Sequence, residues 1–504
     1  MILMELKKLK SGTDIRGVAC EGVVGQPVEL TNNVIDLIVR AFATWLMKKG
    51  FPDQTVVAVG HDCRISGPRI HNAVIAALNK SGMTVYDCGL CTTPAMFMTT
   101  VLTGCDAAIS ITASHHPFNR NGLKFFTRNG GLDGKDISEI IGYAENETLY
   151  KVSTYGKIKP LAFLNTYATY LRKMICEALG ATEEDKPLEG LHLVVDAGNG
   201  AGGFYATGVL EPLGADISGS INLEPNGMFP NHIPNPENQY AMECACKATL
   251  DAKADLGIIF DTDVDRAGAV GPDGTEINRN RLVALASVLA LEDCEGGTIV
   301  TDSVTSSGLK TFIEQDLGGH HYRYRRGYKN VIDEAIRLTD EGTVCPLAIE
   351  TSGHAAFRNN YFLDDGAYLI TRIVIKMAQL KKEGKSINDL TATLKEPVDR
   401  AEIRLDITEE DFKSLGQSVI TSLEKYSAEK AGWTIADDNR EGIRVYCDEG
   451  DGWFLLRLSV HDPVMPLNIE SDSEGGCKKI AKGLAEFFNN IDGVDIFPLT
   501  DYLK

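Results

Sequence analysis

From residue 55 to about residue 365, short β-like apolar runs alternate with helix-length segments, and this alternation constrains the fold more than any other feature of the chain. "TVVAVG" (55–60) precedes "GPRIHNAVIAALNKSG", whose apolar residues recur at helical spacing and whose end is marked by Gly82. "MTVYDCG", a short helix "PAMFMTTVL" and the strand "AAISIT" (107–112) follow. The pattern resumes with "LHLVVDAGNGAGG" (191–203), "ADLGIIFDTDVDR" (254–266), "GTIVTDS" (297–303) and "CPLAIE" (345–350). Strands alternating with helices predict an α/β chain with largely parallel sheets covered on both faces. Reactive groups in such folds collect at the carboxyl ends of strands. Every polar motif considered below follows an apolar run.

Beyond about residue 385 the texture changes. "RAEIRLDI" (400–407) alternates like a strand, and "TEEDFKSLGQSVITSLEKY" reads as a helix opened by a Thr-x-x-Asp cap from Thr408 to Asp411. "GIRVYCD", "GWFLLRLSV" and "PLNIES" then read as consecutive antiparallel strands before a last helix at 475–490, which predicts a smaller α+β domain. At 504 residues the chain has room for about three or more domains.

The net charge of −20 argues against nonspecific binding to nucleic acid or to an anionic membrane. It also makes any local gathering of basic residues informative. "MILMELKKLK" holds no secretory apolar region, and "LVALASVLAL" (282–291) is too short to span a bilayer and reads as a core helix. The twelve cysteines are irregularly spaced, and the lone C-x-x-C, Cys88 and Cys91, reads as small buried thiols rather than a redox pair. A reducing cytoplasm is the expected location.

"GIIFDTDVDRAG" is the strongest chemical signal. Asp261, Asp263 and Asp265 alternate directly after a strand, with Arg266 next. Such carboxylates repel one another unless a cation neutralises them, and hard oxygen ligands suit Mg²⁺ or Ca²⁺. An EF-hand is excluded, because its glycine and glutamate positions hold Arg266 and Pro272. A phosphatase of the haloacid-dehalogenase kind, with Asp261 as nucleophile, is a closer alternative, although Asp265 stands where that motif has Thr or Val.

The second signal is "ITASHHPFNRNGLKFF" (111–126), where a strand delivers Ser114 into His115, with an Asn-Gly turn at Asn121 and then Lys124. These neighbours are donors or proton carriers close to an exposed hydroxyl. A serine bearing phosphate beside a three-aspartate metal site makes better sense than a protease triad, whose orienting acid is not identifiable. In "IETSGHAAF", Glu350, Ser352 and His354 follow a strand and suit hydrogen bonding to vicinal hydroxyls. In "FLLRLSVHDPVMP", Arg457, Ser459 and His461 alternate and would face one side of an extended segment, as an anion clamp does. "RYRRGYKN" (323–330) supplies a basic cluster beside Gly327, and "GTDIRG" (12–17) supplies Arg16.

In order, "GTDIRG", "VVAVGHDCRISGP", "TASHHP…NGLK", "VVDAGNGAGG", "DTDVDR", "ETSGH" and "RLSVHDP" resemble the α-D-phosphohexomutase family, the phosphoglucomutases and phosphomannomutases. The resemblance implies three related α/β domains, at 1–155, 156–265 and 266–385, around a central cleft. A C-terminal α+β domain like the TATA-binding protein, at 386–504, would complete it. It implies reversible conversion of hexose 1-phosphate and hexose 6-phosphate through a phosphoserine and a bound hexose 1,6-bisphosphate. Carried over by position, Ser114 would take the phosphate, and Asp261, Asp263 and Asp265 would hold one Mg²⁺ with a phosphoserine oxygen. Arg16, Lys124 and Arg266 would surround the phosphoryl group, with Lys124 or His115 as acid/base. Gly327, Lys329, Glu350, Ser352 and His354 would contact the sugar phosphate, and Arg457, Ser459 and His461 the non-reacting phosphate. Small sugar phosphates would be the partners of a monomer or homodimer. The chain departs from the family at His461 and Asp462, which replace Thr and Glu, at Ile349 before the sugar-loop glutamate, and in "RYRRG".

Overall fold

The computed structural model describes residues 6–52, 54–150, 152, 154–459 and 462–504, in two compact units. The first runs to Asn278 and includes Ser352–Asp389; the second comprises Arg279–Thr351 and Leu390–Lys504.

The first unit is built around Val56–His61, which pairs in parallel with Thr84–Leu90 on one side and Ala107–Ile111 on the other. Alternate residues of these strands enter different layers. Val57, Val59, Ile109 and Ile111 join a core with helices Asn32–Lys48, Gly67–Lys80 and Gly134–Glu145, where Phe42 meets Phe125 at 4.6 Å. Ala58 lies outside that cluster yet is equally buried, so both faces of the sheet are covered.

The sheet is mixed rather than uniformly parallel. Ala107–Ile111 returns as the antiparallel strand Arg120–Thr127, which pairs in turn with Asp14–Val18. Asn121-Gly122, expected as a turn, therefore lies inside a strand, and the chain reverses earlier, between residues 112 and 119. Space explains the glycine. A Cβ at Gly122 would stand 2.4 Å from the Ile15 carbonyl oxygen and 2.8 Å from that of Thr112.

A second sheet pairs Leu193–Asp196 in parallel with Leu256–Phe260, which then hairpins into the antiparallel Ala267–Val270. The aspartate loop is this hairpin's connection, closed by the Phe260–Ala267 pair. Helix Gly366–Lys382 starts against it. Gly366 N–H donates to the Val264 carbonyl at 3.0 Å, and a Cβ there would lie 2.7 Å from the Arg266 carbonyl carbon.

In the second unit, His320–Tyr324, Thr298–Asp302 and Leu347–Ile349 are parallel neighbours. Helix Arg279–Asp293 buries every residue from Leu282 to Leu291, as expected of a core helix. The C-terminal sheet is antiparallel throughout, in the order Asp399–Asp406, Val464–Ser471, Gly452–Leu456, Ile443–Cys447 and Trp433–Ile435. Helices Phe412–Glu429 and Gly476–Phe488 share its core. The first of these helices is capped by Asp411, which accepts from Ser414 N–H at 3.2 Å, and not by Thr408, whose hydroxyl turns to the Gly493 carbonyl. A hydroxyl three residues upstream of the cap has no orphan N–H within reach.

The chain thus carries three α/β segments with mixed sheets and a fourth, C-terminal sheet domain. None of the twelve cysteines forms a disulfide, and burial pushes the Cys91 thiol up to about 12, so the C-x-x-C sequence forms no reactive pair. Among the described residues no helix is long and apolar enough to cross a membrane.

Candidate active site

Ser114 follows the strand Ala107–Ile111 by three residues, in the left-handed region at φ +51°. A non-glycine residue holds that conformation only when its surroundings overdetermine it. Here Thr112 Oγ1 accepts from Ser114 N–H at 2.8 Å, and the Arg64 guanidinium donates to the Ser114 carbonyl. The hydroxyl is buried and aimed inward. Arg266 Nη2 donates to Ser114 Oγ at 2.8 Å, Asp261 Oδ2 accepts from it at 3.1 Å, and His115 Nδ1 lies 3.3 Å away.

The three aspartates are buried and each offers an oxygen within 4.8 Å of the others. Val264, at φ +67°, turns the backbone so that the alternating side chains converge. Asp263 Oδ1 and Asp265 Oδ1 are buried without a hydrogen-bond partner. Buried carboxylate oxygens left unpaired are costly, and a hard cation satisfies them. Burial, reinforced by Asp265 and Asp263, pushes the Asp261 carboxyl well above its ordinary range, while Lys124, His354 and Arg266 outweigh burial at Asp265 and hold it low. The donor set fits Mg²⁺: all oxygen, three carboxylates and no sulfur or nitrogen.

Around this cluster stand the expected cations. Lys124, buried on its strand, donates to Asp265 Oδ2 at 2.6 Å and lies 3.9 Å from Asp263. Arg266 reaches Asp261 at 3.2 Å and Asn235 Oδ1 at 3.3 Å. Arg16 pairs with Asp14 at 2.8 Å on the adjoining strand. His115 Nδ1 receives a close contact from Arg266 Nη2, and burial together with that guanidinium depresses His115 to about 2. It is a neutral acceptor. His354 pairs closely with Asp364 and lies 4.0 Å from Asp265; although burial opposes its charge, those carboxylates outweigh it and raise its pKa.

Several residues at the site carry no signal that the motif reading used. Thr93 Oγ1 donates to Asp263 Oδ2 at 2.6 Å and its N–H donates to the Asp263 carbonyl at 2.9 Å, so the start of helix Thr93–Leu102 orients a carboxylate of the aspartate loop. The Thr-Pro step predicts a helix start but not what the hydroxyl touches. Asp364, which ends the short strand Leu363–Asp364 and orients His354, and Asn235 and Glu237, which flank Arg266, lie outside every motif named above.

The residues expected to contact the sugar divide between the units. Ser352 and His354 belong to the first, where the Arg266 and His354 backbones bridge. Glu350 belongs to the second, where its Oε1 accepts from Gly327 N–H at 2.6 Å. Gly327 has φ +116°, which favours glycine there. Lys329 pairs with Asp333 on its own helix. Arg323 from the basic cluster is not a solvated group: it is 2% exposed and binds Asp438 at 2.5 Å. Arg457 follows the end of its strand with its N–H on the Pro466 carbonyl, and its buried Nε makes no hydrogen bond. Ser459 N–H donates to the Val464 carbonyl at 3.0 Å, continuing that pairing. His461 lies outside the described residues.

Comparison with known proteins bears on the whole arrangement. Family profiles described as phosphoglucomutase/phosphomannomutase alpha/beta/alpha domains I, II and III match residues 8–151, 165–274 and 278–397. A phosphomannomutase/phosphoglucomutase of Pseudomonas putida is 29% identical over 92% of this chain and 93% of its own length. A phosphoglucomutase/phosphomannomutase of Thermococcus kodakarensis is 30% identical over 93% and 95%. The crystal structure of a phosphoglucomutase/phosphomannomutase family protein from Burkholderia thailandensis superposes with a TM-score of 0.78 at 26% identity, covering 97% of this chain and 98% of that one. With its three matched domains in order and its serine and aspartate loops meeting at one hydroxyl, the chain belongs to the phosphoglucomutase/phosphomannomutase family, the α-D-phosphohexomutases, which are intramolecular phosphotransferases.

Proposed function

We propose that the protein interconverts hexose 1-phosphate and hexose 6-phosphate, of glucose, mannose or both, through a phosphoserine at Ser114 and a hexose 1,6-bisphosphate that stays bound between two transfers. The observation that carries this reading is the placement of Ser114 Oγ, 2.8 Å from Arg266 Nη2 and 3.1 Å from Asp261 Oδ2. A phosphoryl group on that oxygen would stand against three carboxylates, so it requires a cation, and Asp261, Asp263 and Asp265 are the residues that would hold Mg²⁺. When bound, the ion supplies charge neutralisation for the phosphoryl oxygens.

The chain's own groups do the rest. Arg266 already donates to the ester oxygen and would stabilise charge developing there. Transfer from serine to sugar moves a phosphoryl group one way and a proton the other, from the sugar hydroxyl to Ser114 Oγ. Lys124 is the candidate carrier, because His115 is neutral and its Nδ1 is occupied by Arg266. Arg16 adds positive charge for the incoming phosphate. Glu350, Ser352 and His354 are proposed to hold sugar hydroxyls in either orientation. Arg457, Ser459 and His461, with Gly327 and Lys329, would hold the phosphate that is not reacting. Binding energy spent away from the reacting centre orients each half-reaction. A cytoplasmic monomer or homodimer acting on free sugar phosphates, with domain roles divided at about residues 155, 265 and 385, belongs to the same proposal.

Labelled hexose 1,6-bisphosphate tests it. Label should appear on the peptide holding Ser114, survive acid and hydroxylamine, and be absent from Ser114→Ala, which should lose nearly all mutase activity. A serine ester is inert enough to wait for substrate; an aspartyl phosphate is not. Hydroxylamine-labile label on the Asp261 peptide, retained in Ser114→Ala, would replace the mutase reading with a phosphatase one.

A further inference from the structure

The pair Asp62 and Arg64, from "GHDCRIS", has no part in the chemistry assigned above, yet it is among the most completely enclosed ion pairs of the first unit. Both side chains are 0% exposed, with Arg64 Nε 3.3 Å from Asp62 Oδ2 and Arg64 N–H donating to Asp62 Oδ1 at 2.9 Å. The pair follows Val56–His61, the strand beside the one that leads to Ser114, and Asp62 N–H is tied to the Ile111 carbonyl at 3.0 Å. From that anchor one guanidinium reaches four carbonyls of the serine loop. Nη1 donates to Pro117 at 2.7 Å and to Arg120 at 3.0 Å, and Nη2 donates to His116 at 2.6 Å and to Ser114 itself.

These bonds have a directional consequence. The peptide on one side of Ser114 is held through its N–H by Thr112 Oγ1, and the peptide on the other side is held through its carbonyl by Arg64. With both peptide planes pinned, the Cα–Cβ direction is set in a left-handed conformation that a free loop would leave. Transfer needs the serine oxygen in line with phosphorus in both half-reactions, and small misplacements are costly. Resting on the phosphoserine reading above, we infer that Arg64 is a positioning residue for phosphoryl transfer, holding the serine loop closed so that Ser114 Oγ points at Arg266 and Asp261. Only arginine presents a planar fork with enough N–H groups for four carbonyls in different directions; lysine keeps the charge but carries three donors on one nitrogen.

Arg64→Lys is the test, with kcat, KM, the rate of label transfer from hexose 1,6-bisphosphate to Ser114, and circular dichroism measured together. The variant should fold, with kcat and the label-transfer rate falling by the same factor, about 10- to 1,000-fold, while KM stays within about threefold. A folded variant with wild-type transfer rate overturns the inference, as does a loss carried by KM alone. Should Arg64→Lys not fold, Asp62→Asn keeps every donor and loosens only the anchor. It should slow label transfer by about 3- to 30-fold at unchanged KM, and an unchanged rate rejects the proposal. Wild-type protein is labelled alongside: no label on its Ser114 defeats the phosphoserine reading, whereas equal labelling of wild type and variant defeats only the role of Arg64.

Discussion

The serine site in the first unit and the arginine-rich strand ends in the second use similar residues in opposite ways. At Ser114 each charge has a counterpart inside the site: Arg266 with Asp261, Lys124 with Asp265, His354 with Asp364. What is left over there is acidic oxygen, on Asp263 and Asp265. In the second unit Arg323 is consumed by Asp438, Thr305 and the Ser306 carbonyl, and Arg444 lies 3.5 Å over the Trp453 ring and donates to the Ser303 and Thr305 carbonyls. Arg457 also has a buried Nε without a hydrogen bond, as Arg444 has at Nε and Nη2, where the Trp453 ring lies against the guanidinium. A leftover negative oxygen asks for a cation and a leftover N–H asks for an anion. Unmet demand marks candidate binding groups, and at Arg444 an aromatic face meets part of that demand without a hydrogen bond.

The largest test of that distinction is in the aspartate loop. Chelation should abolish activity and Mg²⁺ restore it in the wild type, while Asp263→Asn should remain inactive at high metal, its kcat/KM down by about 10³ or more. Thr93→Val, which removes only the orienting hydroxyl, should weaken Mn²⁺ binding by about 10- to 100-fold in a direct titration. Full activity in chelator would remove the metal assignment.

A smaller effect separates the two kinds of arginine. Arg457→Ala should lose about 2–5 kcal/mol of transition-state stabilisation, seen in kcat/KM for sugar phosphate, with little change in unfolding midpoint. Arg323→Met should do the reverse, destabilising by about 3–5 kcal/mol because Asp438 keeps only the longer contact to Lys310, at 3.5 Å. If Arg457→Ala costs stability and leaves kcat/KM intact, unmet hydrogen bonding is the wrong criterion.

The smallest effect is in pH. Burial, only partly offset by Arg444 and Arg400, raises Glu470 in the second unit to about 7 from the ordinary 4.5. Its fold therefore binds the proton more tightly than the unfolded chain. That contribution is complete below pH 4.5 and is lost as pH rises to about 7, at most about 3 kcal/mol. Glu470→Gln should flatten this slope in a thermal-midpoint series. In the first unit burial works against the charge on His232, but Asp196, 2.9 Å away, outweighs it and raises the pKa. Its contribution is present below pH 6.5 and fades only above it, so His232→Gln should change a different window.

Much of the fold was legible because period and punctuation are local. Apolar runs placed Val56–His61, Leu256–Phe260 and Thr298–Asp302 within a residue or two, and the Asp-x-Asp-x-Asp spacing pointed to three carboxylates that the fold does bring together. The errors were local signals overruled from afar. Asn121-Gly122 looks like a turn, but contact with the Ile15 and Thr112 carbonyls makes its glycine a crossing point inside a strand. Arg323 reads as one member of a basic cluster beside Gly327, but Asp438, more than a hundred residues away in the chain, takes it up as a buried ion pair.

By itself, then, the sequence determined the α/β alternation and the C-terminal antiparallel sheet and singled out Ser114, Lys124 and the three aspartates as candidates, because each is written in residues close together in the chain. Only the tertiary structure decided that Asp261 and Ser114, 147 positions apart, share a hydrogen bond, that Thr93 orients Asp263, and that Arg64 closes the serine loop. Those facts depend on where strand ends meet after the sheets have packed, and no local spacing carries that information.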